Sequence, residues 1–174
     1  MSTAFSIRRK LFWSLGSIVV ASLLLLSPHS YAAQLTGRVV AVADGDTITV
    51  LDSNWQQNKV RLNGIDAPEK SQPFGSRSRQ HLRALVHGRD IVVKWNKRDR
   101  YGRILGKVLV GSVDVNLEQI RAGLAWHYKR YEREQSREDR ETYATAELDA
   151  RTAKRGLWID PAPIPPWEFR RAHH

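Results

Sequence analysis

Apolar and polar positions alternate between residues 34 and 52 in a stretch rich in Val, Ile and Thr, and Asp44-Gly45-Asp46 interrupts it. The pattern predicts strand, turn, strand. A polar stretch at 53–58, unusual for containing Trp55, reads as a hairpin loop, and residues 60–65 read as a third strand. After Pro68 the period changes. Leu82, Leu85 and Val86 stand at helical spacing and Gly88 follows as a stop, so a helix is expected over about 74–87. Residues 90–95 and 104–110 are two further strands, separated by a very polar turn at 96–102.

Helical spacing then returns twice. Leu117, Ile120 and Leu124 form an apolar stripe that Asp114 or Asn116 can cap, and Ala146, Ala150, Ala153 and Leu157 share one face of a helix over about 137–155. The reading is five strands and three helices. Residues 128–140, dense in Arg and Glu, read as solvated surface. Residues 161–174, with Pro161, Pro163, Pro165 and Pro166 before Trp167, Glu168, Phe169 and basic residues, read as a stiff extended basic tail.

The first 32 residues stand apart. Arg8, Arg9 and Lys10 precede an uncharged run from Leu11 to Leu26, and small residues at Ser30 and Ala32 suit a signal peptidase. The run is broken by Ser14, Gly16, Ser17 and Ser22 and falls short of the ~20 apolar residues that span a bilayer, which favours a cleaved leader over an anchor. The residues around Arg8-Arg9 match a twin-arginine signal poorly, so the general secretory route is expected. The expected organisation is leader 1–32, globular domain 33–160 and tail 161–174, in an exported protein of the periplasm or the medium without stable membrane association. Intact mass of the exported protein tests the cut: a chain beginning at or next to Ala33 is expected, and recovery only of a full-length, membrane-extracted species would reverse it.

The formal net charge of the chain is +10; the leader carries three basic and no acidic residues, leaving +7 on the remainder. Such a surplus draws polyanions by releasing their counterions, although it also aids solubility. Cysteine is absent, so an exported fold must rely on its core, helped by bound metal where one exists.

Three segments concentrate charge where strand patterns end: Asp44-Gly45-Asp46-Thr47, Arg61 through Asp66-Ala67-Pro68-Glu69, and Asp99-Arg100-Tyr101-Gly102-Arg103. Each alone reads equally as a turn or a helix start. Together they supply what phosphodiester hydrolysis needs: an oxygen-ligated cation, a base for water, and positive charge for the crowded phosphorus. Asp46 and Asp66 are hard ligands suited to calcium, while the histidines show no zinc-type spacing. Arg61 and Arg103 can hold phosphate oxygens with planar forks, and Glu69, just beyond Pro68, is the candidate base.

In these motifs, and over about residues 35–158, the chain resembles the staphylococcal nuclease (thermonuclease) family. The resemblance implies an α+β fold, a five-stranded OB-fold barrel with about three helices, agreeing with the count above. It also implies Asp46 and Asp66 as calcium ligands, Ala67 as a backbone-carbonyl ligand, Arg61 and Arg103 as catalytic arginines, Glu69 as the catalytic glutamate, and Arg100 and Tyr101 as contacts to a terminal phosphate. Ala67 replaces the prototype's Thr, and residues 70–75 make a shorter loop beside the site. The expected enzyme is a calcium-dependent endonuclease on DNA or RNA, single strands favoured, leaving 3′-phosphates and acting as a monomer. The rival readings are a catalytically silent OB-fold that binds single strands, and a basic surface protein that recruits polyanions through its tail.

Overall fold

The computed structural model describes residues 33–173; the leader expected over 1–32 lies outside them. Five strands form the barrel: β1 Ala33–Val42, β2 Thr47–Leu51, β3 Gln57–Leu62, β5 Asp90–Arg98 and β6 Ile104–Val110. They hydrogen-bond in the order β3-β2-β1-β5-β6, and a parallel pairing of β3 with β6 closes the ring. Closure leaves few free edges, since each of these strands has partners on both sides. The five strands are those the alternation predicts, and their closure into a barrel with helices is what the family resemblance implies.

The barrel interior follows from that alternation, with two adjustments. Val39 and Val42 are both buried although three residues apart, and a bulge between Val39 and Ala41 absorbs the extra residue. A second bulge, between Trp95 and Lys97, bends β5 towards its polar end. Ile48, Val50, Val60, Leu62, Ile91, Val93, Ile104 and Val108 fill the middle. Each fully buried aliphatic side chain contributes about 1.5–3 kcal/mol.

Helices plug the barrel and extend it. α1 Gly75–Val86 inserts Leu82 and Val86, α2 Val115–Arg121 inserts Val115 and Ile120, and α3 Arg137–Thr152 adds Tyr143 and Ala146. Asp114, of the two cap candidates, accepts from the Leu117 amide at 3.1 Å and also from the Tyr143 hydroxyl at 2.9 Å, which ties α2 to α3. Asn116 instead points inward. Its amide donates to the Asn63 and Gly106 carbonyls and its oxygen accepts from the Val108 N–H, pinning α2 to the barrel wall.

Beyond helix ends that fall short, as where α2 and α3 stop at Arg121 and Thr152 and leave Leu124, Ala153 and Leu157 outside them, two features depart from the sequence reading. The expected third strand over 60–65 is divided: β3 ends at Leu62, Asn63-Gly64 turns, with φ of +76° at Gly64, and β4 Ile65–Asp66 leaves the barrel to pair with β8 Trp126–His127. A glycine tolerates that backbone where other residues are strained. The second departure is the tail, which is not extended to its end. Pro165 and Pro166 begin a helix, α4 Pro166–Ala172, because proline at the first helical position gives up no hydrogen bond and its ring presets φ. The helix docks through Trp167, whose ring centre lies 5.6 Å from Trp126 and 5.4 Å from Tyr128, beside a cluster of Trp126, Ala150, Leu157 and Trp158. A two-residue strand, β7 Val113–Asp114, completes the set, and no helix among the described residues is long and apolar enough to cross a membrane.

Candidate active site

Asp46 stands at the entry to β2 and is held there by four bonds. Its amide donates to Asp44 Oδ1 (3.1 Å), its carbonyl accepts from the Leu62 N–H (2.8 Å), and its carboxylate accepts from the Thr47 hydroxyl (3.1 Å) and the Ala67 N–H (2.8 Å). Gly45 makes that turn possible, because a Cβ there would collide with the Ser78 hydroxyl of α1 and with the Ala67 methyl. Gln119 of α2 closes the turn from behind by donating to the Gly45 carbonyl at 2.6 Å.

Arg61 lies opposite Thr47 on β2 and Leu105 on β6, so the barrel wall sets its direction. One of its nitrogens, Nη2, bridges Asp46 Oδ2 at 3.0 Å and Asp66 Oδ1 at 2.6 Å. β4 carries Asp66 into this position, with no solvent exposure at all. Burial works against the charge of Arg61, but the adjacent Asp46 and Asp66 outweigh it and raise its pKa above the ordinary arginine value. Asp46 is pushed the other way from a usual carboxylate: burial raises its pKa, Asp44 and Asp66 add to the rise, and Arg61 offsets part of it.

Glu69 follows Pro68 at the rim, its side chain 37% exposed. Gly75 lets the chain fold close behind it, since a Cβ at Gly75 would strike the Glu69 carbonyl. The Glu69 amide donates to Gln72 Oε1 at 3.1 Å, and its carboxylate accepts from Arg170 of α4 at 2.7 Å.

Arg103 occupies the far side, one residue before β6. Asp99 organises its turn by accepting from the Tyr101 and Arg103 amides (2.9 and 3.0 Å) and from Arg103 Nε (2.7 Å). Burial opposes ionisation of Asp99, yet the Arg103 side chain and the two amides together lower its pKa. With Nε so engaged, the two Nη groups of Arg103 have no protein hydrogen-bond acceptor among the described residues. Arg100 and Tyr101 lie in the same turn, exposed, with the Arg100 guanidinium donating to the Tyr101 hydroxyl at 2.6 Å. The Tyr101 ring centre is 5.5 Å from the Arg103 guanidinium.

One open cavity of about 1480 Å³ includes Asp46, Arg61, Glu69, Arg100, Tyr101 and Arg103 in its wall, along with Ala67. Asp66 lies just beneath, reached through Arg61 and Arg170. The residues singled out in sequence therefore meet at one site. Its volume exceeds the 300–1,000 Å³ usual for a small ligand, as a groove for a polymer should. The segment 128–131, read from sequence as mere surface, forms part of the same wall. So do Asp44 and Arg170, which the sequence reading did not place at the site. The signal for Arg170 was present in Pro-Pro followed by an aromatic and basic run, a helix start rather than a spacer.

The residues fit a divalent cation, although among the described residues no three His, Cys, Asp or Glu side chains form a ready-made cage. Asp44, Asp46, Asp66 and Glu69 face two guanidiniums, Arg61 and Arg170, which leaves a formal surplus of two negative charges. Burial is the main cause of the raised pKa of Asp46, and the neighbouring Asp44 and Asp66 add to it. Calcium completes its shell with carbonyls and waters and so needs no full protein cage. Carboxylates rather than thiolates or imidazoles make this a hard-cation site.

The family described as staphylococcal nuclease homologue matches residues 59–160. A protein of Escherichia coli named an uncharacterized endonuclease is 44% identical over 139 residues, covering 79% of this chain and 86% of the relative. A protein of the same description from Haemophilus influenzae is 39% identical over 157 residues, 88% of this chain and 85% of its own length. The micrococcal nuclease of Shigella flexneri is 38% identical over 168 residues, 91% of this chain and 93% of its own. With the matched region running from β3 through the turn after α3, and relatives aligned across most of both chains, this protein belongs to the staphylococcal nuclease family.

Proposed function

We propose that this nuclease, a phosphodiester hydrolase by its family, is a calcium-dependent endonuclease of DNA or RNA that leaves 3′-phosphate ends. The observation that carries the reading is the convergence of Asp46, Asp66, Glu69, Arg61 and Arg103 on one open basic groove.

Asp46 and Asp66 would hold the cation, with the Ala67 carbonyl as a third protein oxygen. When bound, calcium supplies positive charge to the scissile phosphate and to the attacking water. Glu69, at the rim rather than in the buried pair, takes the water's proton or orders it for attack. Arg103 presents its free Nη pair to the non-bridging oxygens, where charge grows in the transition state. Arg61 holds the two aspartates through Nη2, and its remaining donors would turn to the phosphate. Arg100, Tyr101 and the 128–131 wall lie further along the groove, where flanking phosphates and bases of an unpaired strand would run. Export to the periplasm or the medium would keep such an activity away from the cell's own nucleic acid.

Product ends test the reading. Single-stranded DNA or RNA cut by the mature protein with calcium should yield fragments whose 5′ ends accept a phosphate from polynucleotide kinase without prior phosphatase treatment. Fragments that require phosphatase first would assign cleavage to the other side of the phosphorus. Tight binding without any cleavage would make the protein a single-strand-binding module.

A further inference from the structure

α4 brings a side chain into the carboxylate cluster for which the mechanism above has no use. Arg170 Nη1 donates to Glu69 Oε1 at 2.7 Å and to Asp66 Oδ1 at 3.2 Å, while Nη2 donates to Asp66 Oδ2 at 2.8 Å. One guanidinium thus spans the candidate base and a candidate cation ligand. Burial works against its charge, but the bonds to Asp66 and Glu69 raise its pKa above the ordinary arginine value.

The same segment reaches Glu69 by a second route. Gln72 is buried, accepts from the Glu69 amide through Oε1 at 3.1 Å, and donates through Nε2 to the Ile164 carbonyl at 2.6 Å. Glu69 is therefore tied to the C-terminal segment through its backbone by Gln72 and through its carboxylate by Arg170. Among the described residues, Arg170 is the sole hydrogen-bond partner of the Glu69 carboxylate.

Docking of α4 does not depend on the ion pair. Trp167 packs against Trp126 and Tyr128, and the Gln72–Ile164 bond anchors the approach. On the Glu69 side the pair is partly exposed and adds little to stability beside such packing, and the buried Asp66 keeps its bond to Arg61 when Arg170 is removed. What the pair does is orient: without Arg170 the Glu69 side chain would regain the rotamers that a rim carboxylate otherwise samples.

We infer that Arg170 is a positioning residue of the active site, delivered by the C-terminal helix to hold the Glu69 carboxylate in its working orientation over the Asp66 side of the cation site. The inference rests on the reading of Glu69 as the base and of Asp66 as a calcium ligand. It makes the segment beyond residue 160 part of the catalytic unit. It also sets Arg170 and the cation against each other as neighbouring positive charges on Asp66.

The test uses the mature chain and the variants Arg170→Ala, Arg170→Lys and Trp167→Ala, each followed by melting, single-turnover cleavage of single-stranded DNA and calorimetric titration of the stripped protein with calcium. Arg170→Ala should melt close to the parent and bind substrate within a few-fold of it, while its rate at saturating calcium falls by about 10², the scale of a misplaced reacting group. Removing a positive charge from Asp66 should at the same time tighten calcium binding, by about tenfold. Arg170→Lys, which keeps charge and loses the fork, should recover the parent's calcium affinity but only part of its rate. Trp167→Ala, which loosens α4, should follow Arg170→Ala in rate.

An Arg170→Ala rate equal to the parent's overturns the positioning role, and a faster one makes Arg170 a latch that calcium displaces. Loss of cleavage together with a large fall in melting temperature and weakened calcium binding makes it a structural staple. A parent that cleaves but takes up no calcium in the titration overturns the metal reading itself. That outcome is separate from one in which the parent binds and cleaves normally while the Arg170 variants match it.

Discussion

Exhaustive chelation should reduce cleavage of single-stranded DNA below detection, and added calcium should restore it. The physical ground is the charge balance of the site. A phosphodiester entering the groove meets Asp44, Asp46, Asp66 and Glu69, and the two guanidiniums among them are already engaged by those carboxylates. Without a cation the approach is repulsive on that side, and the water has no electrophilic partner; a bound metal supplies several kcal/mol to the transition state.

Folding should survive the same treatment, since the barrel interior from Val39 to Val108 and the helices that plug it are held by apolar packing rather than by the cation. Circular dichroism of the chelated protein should therefore be unchanged. Calcium should still raise the melting temperature, because a ligand at about 100 times its Kd stabilises the native state by about 2.7 kcal/mol. That shift reads binding independently of catalysis. Full activity after chelation would remove the metal from the mechanism. Support by magnesium with inhibition by calcium would keep the nuclease and reassign the ion.

Glu69→Gln should lower the single-turnover rate by about 10²–10⁴-fold, the usual contribution of a general base. The substitution preserves length, and the amide oxygen can still accept from Arg170, so the link to α4 persists. The position is partly exposed at the rim, and changes of this kind move stability by about 0.5 kcal/mol or less. Affinity for single strands should hold or rise slightly, because one negative charge has left the phosphate path. Rate and affinity thus separate. A near-parental rate in a folded Glu69→Gln protein would take both base and water-ordering roles away from this residue and leave the cation and the arginines as the catalytic apparatus.

Much of this molecule is legible one residue at a time. The two-residue alternation in 34–52, 90–95 and 104–110 determines strands, because only one face of each can be buried, and the spacing of Leu117 and Ile120 determines a helix for the same reason, although Leu124 falls beyond its end. The candidate site residues are equally local. Asp46, Glu69, Arg61 and Arg103 stand at or near strand ends and line the opening, with Asp66 buried beneath it.

Tertiary structure decided how those groups are connected. That one Arg61 nitrogen joins Asp46 to Asp66 depends on the β2–β3 register that sets Arg61 opposite Thr47 and, after the Asn63-Gly64 turn, on β4 pairing with β8. No local pattern encodes that second pairing, between residues far apart in sequence. The tail shows this most clearly. Proline-rich composition describes residues 161–166 as a spacer by local preference alone, but Trp167 finds an apolar partner in Trp126, some 40 positions back, and that contact carries Arg170 to Asp66 and Glu69. Local propensity sets what a segment can form; long-range burial of its aromatic anchor sets where it goes and which charges it meets.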